Sequence, residues 1–289
     1  MKKVYFLAGS AIFFWSTMAT ISKLLLGSFT SIQVLCISSL FAFLFLFIKN
    51  LVTRNIVKLK YYKAKDILIM ILIGLPGVLV YNLLYYIGAA RMPASQAFII
   101  NYLWPIMSVI FACILLKEKL DFRKIIAIVL SFIGVIIVAG SNLTGFDSSM
   151  IIGAVSIFFA AVSYGLFTGL NQKFKFDKNI SVMLVYGATF LITVVMAIFE
   201  KQPISLDAFS VFGLAWNGAL VMGLATTAWA IALESGNTAK ISNLAYITPF
   251  ASLVWISLLL KEKISVLSIV GLVVIVGGIL IQLKKEKNG

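Results

Sequence analysis

The sequence predicts an all-α integral membrane protein with ten transmembrane helices. Of the 289 residues, 62% are hydrophobic and only 12% are charged, whereas soluble domains are about 45–50% apolar and about 25% charged. Apolar runs close to the ~20 residues needed to cross hydrocarbon recur along the whole chain. We place these runs at 4–26, 30–48, 66–87, 93–115, 122–140, 150–172, 180–199, 208–232, 238–260 and 264–283.

The chain also repeats itself after 144 residues. Residues 101–119 read NYLWPIMSVIFACILLKEK, and residues 244–263 read LAYITPFASLVWISLLLKEK. Pro105 and Glu118 of the first segment are matched by Pro249 and Glu262 of the second. A long period of this kind indicates duplication of a structural unit.

Half of the chain is close to one period, so we predict two units of five helices, at 1–145 and 146–289. Because five is odd, the second unit must be inverted in the membrane relative to the first. Inverted repeats are typical of secondary transporters, whose site lies near the midplane between the repeats. Pro105 and Pro249 interrupt related helices, and we interpret them either as hinges or as static kinks.

The basic residues orient the predicted helices. With the N-terminus inside, 19 of the 24 Lys and Arg residues fall on the inner side and five on the outer side. The positive-inside rule therefore places the N- and C-termini in the cytoplasm and the chain in the cell (inner or plasma) membrane. The same rule accounts for the net charge of +14, so we expect the lipid bilayer and no nucleic acid as a partner.

The sequence carries no enzyme signature. It lacks histidine, a GxxxxGK phosphate loop and paired aspartates for a metal-bound diphosphate. Cys36 and Cys113 both lie in apolar runs and predict neither a disulfide nor a metal site. We therefore expect no enzyme activity, no cofactor and no metal, but a small-molecule substrate and a monomer. A membrane-embedded enzyme and a channel are the less favoured alternatives.

Two tryptophans lie deep in the predicted helices. Trp104 is roughly 16–20 Å from either end of its helix at the α-helical rise, and Trp15 is similarly deep. Interfacial aromatic belts do not explain these two, although they explain Trp216 and Trp255. Trp15 and Trp104 therefore either line a cavity or pack between helices.

Polar and aromatic side chains share helical faces with these tryptophans, which predicts contact with protein or water rather than lipid. Interhelical hydrogen bonding is the alternative explanation for these stripes. The stripes are Tyr81, Asn82 and Tyr85; Phe98, Asn101 and Trp104; Tyr164, Thr168 and Asn171; and Asn243, Tyr246 and Phe250. Lys23, near the outer end of helix 1, either snorkels to the headgroups or contacts a substrate carboxylate.

The whole chain resembles the EamA-type branch of the drug/metabolite transporter superfamily. Two five-helix repeats, each with LLKEK before its last helix, carry this resemblance. Within that branch the chain is similar to the aromatic amino acid exporters. Shorter matches carry this narrower resemblance, at Trp15–Met18, Asn101–Pro105, Ala228–Trp229 and Gly236–Asn237.

The resemblance implies a basket of ten helices around a central aromatic cavity lined by Trp15, Tyr81, Tyr85, Tyr102 and Trp104. Tyr164 departs from the exporters, which have tryptophan at that position. We therefore expect an exporter of small metabolites, first of aromatic and other amino acids, that works by alternating access. Export of another metabolite or of an organic cation drug is the alternative. The substrate-binding candidates are Trp15, Tyr81, Asn82, Tyr85, Asn101, Tyr102, Trp104, Tyr164, Trp229 and Tyr246.

The charge distribution generates a topology prediction. In a background with Cys36 and Cys113 replaced, we expect Lys60→Cys to be protected from an impermeant maleimide in intact cells and labelled after lysis. Lys263→Cys is the matched probe and should be labelled in intact cells. Labelling of Lys60→Cys before lysis would contradict the orientation.

Overall fold

The computed structural model describes residues 2–140, 148–235, 241 and 244–283. Throughout these ranges the secondary structure is helical, without a β-strand. The helices are α1 (Lys2–Leu25), α2 (Ser31–Val52), α3 (Ala64–Arg91), α4 (Ala94–Leu115), α5 (Phe122–Gly140), α6 (Ser148–Lys173), α7 (Lys178–Glu200), α8 (Ala208–Ala215, Trp216–Ala225 and Thr226–Ser235), α9 (Ala245–Leu259) and α10 (Val266–Leu283). A short 3₁₀ segment, Asn55–Tyr61, joins α2 to α3.

Helix length and composition identify a multi-pass membrane protein. By these criteria seven helices, α1 to α4 and α6 to α8, can cross a bilayer, and α9 and α10 are shorter apolar helices. Large apolar side chains such as Phe6, Leu191 and Phe199 are exposed on the outside of the bundle, as hydrocarbon favours. The predicted boundary between the two units, near residue 145, lies outside the described residues.

The 144-residue repeat is visible in the backbone. Lys117 and Lys261 follow the ends of α4 and α9, and both adopt the left-handed region, with φ of 58° and 54°. This conformation is uncommon for a residue other than glycine. Because it recurs at the same offset, the first lysine of the repeated KEK sequence has the same backbone conformation in both copies.

The two matched prolines lie in the first turns of α-helical segments. Pro105 follows a break in α4 at Tyr102 and Leu103, and Pro249 follows the 3₁₀ turn Ala245–Ile247. Proline is tolerated in a first helical turn, where its missing N–H is not needed. The helices are therefore interrupted just before each proline, and the hinge role stays a prediction.

The third helix of each unit carries a π-helical segment, Pro76–Val80 in α3 and Trp216–Ala225 in α8. The two segments overlap when shifted by 144 residues. Pro76 cannot donate the backbone hydrogen bond of a regular α-helix, which favours the wider turn. Each π segment rotates the residues after it, beginning at Tyr81 in α3 and Thr226 in α8.

The main helix pairs all join the first unit (α1–α5) to the second (α6–α10). They are α5 with α10, α2 with α7 and α8, α3 and α4 with α6, and α8 and α9 with α1. In the α5–α10 pair a Cβ on Gly134 would lie 2.7 Å from the carbonyl oxygen of Gly271, and a Cβ on Gly278 would lie 3.1 Å from that of Ala127. Ala127 and Gly134 are the 144-residue equivalents of Gly271 and Gly278, so the crossing is symmetric.

The α5–α10 crossing predicts a position-specific effect of one methyl group. A Cβ on Gly271 would lie 2.4 Å from Val138 Cγ2 and 2.6 Å from the Gly134 carbonyl oxygen. We expect Gly271→Ala to lower the free energy of unfolding by about 1–3 kcal/mol because the helices must separate. Thermal denaturation in detergent measures this loss.

Gly277→Ala is the control, because a Cβ there meets nothing within 4 Å. Both changes gain the same helix propensity, so their difference isolates the close approach. Equal melting temperatures for the two variants would contradict the packing described.

Candidate substrate cavity

A cavity of about 340 Å³ lies between α4, α6, α7 and α8. Its rim includes the exposed residues Gln172, Lys178 and Asn179. They lie at the end of the bundle that also carries Lys49 and Lys58, which we call the basic end. The lining residues are Leu46, Trp104, Tyr164, Phe167, Thr168, Asn171, Gln172, Lys178, Asn179, Val182, Thr226, Thr227, Trp229, Ala230 and Leu233.

The deep wall of the cavity is aromatic. The Trp104 ring meets the Tyr164 ring edge-on, with centroids 5.2 Å apart, and Tyr164 in turn lies 4.8 Å from Tyr81. Tyr85 stacks behind Tyr81 at 6.3 Å and is fully buried. Edge-to-face and tilted rings fix one another's orientation, so Trp104 and Tyr164 present a rigid surface to the cavity.

Three other predicted site residues have protein partners. Asn101 Nδ2 donates to the Tyr81 hydroxyl at 2.9 Å, and Asn82 Nδ2 donates to the Val78 carbonyl at 2.7 Å. The Tyr102 hydroxyl donates to the Ala245 carbonyl at 3.0 Å and so joins the break in α4 to the start of α9. These bonds position the aromatic wall and the helix interruptions.

Helix α1 contributes tryptophan contacts on the other side of the bundle. Trp15 packs against Trp229 with ring centroids 5.4 Å apart, and Trp229 lines the cavity. Trp216 and Trp255, for which an interfacial position stays a prediction, have protein partners. Their indole N–H groups donate to Thr17 Oγ1 at 2.9 Å and Ser16 Oγ at 3.0 Å, within α1.

The predicted site residues therefore separate into groups by position. Trp104, Tyr164 and Trp229 line the cavity. Tyr81 and Trp15 touch that lining from behind, whereas Asn82, Tyr85, Asn101 and Tyr102 are buried among protein groups and Tyr246 is half-buried beside the core. A substrate role for any of them stays a prediction.

Sequence reasoning missed most of the polar rim. It placed Thr168 and Asn171 on the face of Tyr164, and all three line the cavity. It missed the rim residues Gln172, Lys178, Asn179, Thr226 and Thr227. The register set by the π segment in α8 and the approach of α7 to α6 bring these together, and neither follows from the sequence of one helix.

The opposite end of the bundle is tied together by Lys23 and Glu262. Lys23 Nζ donates to the carbonyls of Ala89 at 2.7 Å and Met92 at 2.8 Å. The Glu262 carboxylate accepts from the backbone N–H of Ala94 at 2.9 Å and of Ser95 at 3.1 Å, and from the Ser95 hydroxyl. We call this end the tied end. Lys23 therefore does not line the cavity.

The equivalent acid at the basic end makes a different contact. Glu118, 144 residues before Glu262, accepts from Lys124 Nζ at 3.0 Å, and its side chain is 48% exposed. This bond is local, because Lys124 lies in the first turn of α5, six residues after Glu118. Of the two matched glutamates in the described structure, only Glu262 bonds to a helix that is distant in the sequence.

The basic end also contains an ion pair between two connections. Lys58 Nζ lies 2.5 Å from Asp177 Oδ2, and Asn55 Nδ2 donates to Asp177 Oδ1. Burial acts to raise the pKa of the Asp177 carboxyl, but hydrogen bonds from Lys58, the Ile180 backbone and Asn55 outweigh it and lower that pKa. The Asp177 carboxylate is therefore fully engaged by these partners.

A second groove, of about 550 Å³, lies on the outside of the bundle between α1, α2, α3 and α7. Its charged groups bond within the protein: Thr30 donates to Glu200 at 2.7 Å, and Arg91 Nη1 donates to the Ile87 carbonyl at 2.6 Å. It lacks the aromatic wall of the smaller cavity. We therefore take the cavity between α4, α6, α7 and α8 as the candidate site.

The model of one protein family matches the chain twice. The model of the EamA-like transporter family matches residues 2–140 and 150–283. The chain belongs to the EamA-like transporter family. Each match falls within one of the two predicted units, and membership agrees with the resemblance to the drug/metabolite transporter superfamily.

Named relatives are distant. The chain is 27% identical to the uncharacterized transporter YoaV of Bacillus subtilis (strain 168), over 82% of this chain and 80% of that protein. It is 24% identical to the aromatic amino acid exporter YddG of Salmonella typhimurium, over 62% of this chain and 63% of that protein. A solved crystal structure superposes with a TM-score of 0.70 at 19% identity, covering 98% of this chain and 96% of that chain, which shows a shared fold.

The tied end predicts a change in accessibility. In a background without Cys36 and Cys113, the buried position Ala89→Cys reports on this end. We expect Glu262→Gln to raise the rate at which a soluble maleimide labels this cysteine several-fold. A neutral amide binds the N-terminus of α4 more weakly than a carboxylate does, and it attracts the Lys23 ammonium more weakly.

Glu118→Gln is the matched control, since it makes the same chemical change at the basic end. It should leave labelling of Ala89→Cys unchanged. A rate that is the same for Glu262→Gln and its parent would show that these contacts do not hold the tied end.

Proposed function

We propose that this EamA-family member exports small metabolites, first aromatic and other amino acids. The aromatic wall formed by Trp104 and Tyr164 in a membrane-embedded cavity is the observation that carries the proposal. Such rings bind the side chain of an aromatic or large apolar amino acid through stacking and apolar contact. The relatives named as aromatic amino acid exporters support this substrate class at low identity.

The chain crosses the membrane ten times in this proposal, as two inverted units with both termini in the cytoplasm of the cell membrane. The basic end is then cytoplasmic, and the cavity of this structure takes substrate from inside. The hydrogen bonds of Lys23 and Glu262 support this assignment, because they join helices at the end that would face outward.

Alternating access follows from the same asymmetry. Opening the tied end requires loss of the Glu262 contacts, while the breaks before Pro105 and Pro249 allow the ends of α4 and α9 to move. The symmetric α5–α10 and α2–α7 pairs stay together as a frame. Inverted repeats exchange their two conformations in this way, around a site that stays near the midplane.

Export of an organic cation drug is the second candidate. The faces of tryptophan and tyrosine attract cations within about 6 Å of the ring centre, so the deep wall by itself accommodates either class. The two are separated by a counterflow assay in proteoliposomes that compares amino acids with quaternary ammonium compounds. Saturable counterflow of amino acids supports the proposal, and counterflow of only the cations contradicts it.

The deep wall predicts the effect of one truncation. We expect Trp104→Ala to reduce initial counterflow of an aromatic amino acid at least ten-fold while the protein stays folded, because the ring surface is removed from the cavity. If Trp104 only packs, the change should instead lower stability, by about 3–5 kcal/mol for a buried large aromatic.

Initial flux and melting temperature measured on the same preparation separate these outcomes. Trp255→Phe is the control, since Trp255 bonds to Ser16 and lies outside the cavity lining. It should alter stability but not substrate preference. Normal flux with a lowered melting temperature for Trp104→Ala would move the site away from this wall.

A further inference from the structure

The charges around the cavity are unequal. Within the described part of the chain the lining contains one ionised side chain, Lys178, and no aspartate or glutamate. Lys178 is the first residue of α7 and lies on the exposed rim. The amide side chains of Asn171, Gln172 and Asn179 complete the polar rim. As far as the structure describes its lining, the mouth of the cavity therefore has one positive charge and otherwise neutral groups.

No acid among the described residues pairs with Lys178. Asp177 precedes it, but the Asp177 carboxylate binds Lys58 and Asn55 and accepts from the backbone N–H groups of Asn179 and Ile180. Among the described residues the two ion pairs are Lys58–Asp177 and Lys124–Glu118, and neither includes Lys178. Within the described part of the chain the Lys178 ammonium is thus not paired with an acid and is available to a ligand.

A neighbouring amide is oriented to help. The Lys49 ammonium donates to Oδ1 of Asn179. Because an ammonium can only donate, the amide oxygen of Asn179 faces Lys49, and its Nδ2 group is left to donate elsewhere. An anionic oxygen at the rim would therefore meet the Lys178 ammonium together with an amide N–H.

The distance to the aromatic wall suits an amphipathic ligand. Asn171 at the rim and Tyr164 at depth are seven residues apart on one face of α6, which is about 10 Å along the helix. The hydroxyls of Thr226 and Thr227 and the amide oxygens of Asn171 and Gln172 offer acceptors for an ammonium group between these ends.

We propose that Lys178 binds the substrate carboxylate at the mouth of the cavity, and that this contact restricts transport to compounds that carry a carboxylate. The inference rests on the proposed function and narrows it. An organic cation without a carboxylate meets a like charge at the rim and no acid in the described lining. The carboxylate contact first assigned to Lys23 thus moves to the opposite end of the bundle.

Competition in proteoliposomes tests the contact. Labelled L-tryptophan is the counterflow substrate, and unlabelled L-tryptophan and L-tryptophanamide are the competitors, which differ only in the carboxylate. In the wild type we expect tryptophanamide to require about a ten-fold higher concentration for half-inhibition, the scale of one charge-assisted hydrogen bond.

Substitutions at Lys178 should change this ratio selectively. Lys178→Gln should bring it close to one, through weaker competition by tryptophan, and Lys178→Arg should retain it. Lys175→Gln is the matched control, because Lys175 is an exposed lysine on the same connection outside the lining. It should behave as wild type.

Each remaining outcome overturns the inference. An unchanged ratio in Lys178→Gln shows that the carboxylate binds elsewhere. If Lys178→Gln and Lys178→Arg both abolish flux at an unchanged melting temperature, the charge of Lys178 is not what transport requires. If the wild type transports amino acids but does not distinguish tryptophan from its amide, the result refutes the Lys178 contact and leaves the proposed function standing. A wild type that carries no amino acid refutes the proposed function itself.

Discussion

Hydrocarbon offers no hydrogen bonds, and the rest of this structure depends on that constraint. The backbone satisfies it by forming helices, which short connections join in the described ranges. Polar side chains satisfy it by joining helices: Asn217 Nδ2 of α8 donates to Ser38 of α2 at 3.0 Å and to the Tyr86 hydroxyl of α3 at 2.8 Å. Each such bond contributes only about 0.6 kcal/mol on average. Several of them, together with the close contacts at glycine, fix which helices pair.

The same constraint explains why the two units interlock instead of forming separate bundles. Each unit presents small residues where the other approaches, as at Gly134 and Gly271, and van der Waals contact replaces the hydrophobic effect that is missing between helices in lipid. Helix pairs that are related by the 144-residue repeat form a symmetric frame. Function then requires departures from symmetry. Glu118 and Glu262 show one, since Glu118 bonds six residues away and Glu262 bonds to a helix that is distant in the sequence.

The cavity itself departs from the repeat. The 144-residue equivalents of Trp104 and Tyr164 are Thr248 and Thr20, so the aromatic wall belongs to one side of the pseudo-symmetric frame. In the proposed site, the rings at depth and the one ammonium of the described lining divide recognition between apolar contact and charge. A ligand that satisfies both must be amphipathic, which is a stronger restriction than an aromatic lining alone provides.

The sequence by itself determined the helical membrane class, the duplication and the aromatic face of α6. Hydropathy, a 144-residue offset and a 3.6-residue period are patterns along the chain, so they require no knowledge of tertiary contacts. It also located Trp104, Tyr164 and Trp229, which line the cavity. The tertiary structure decided the partners. Lys23 resembles Lys178 as a basic residue near a helix end, and only the packing of the helices shows that Lys23 binds two carbonyls while Lys178 faces the cavity. Such a distinction depends on which helix approaches from elsewhere in the chain, and that information is absent from the local pattern.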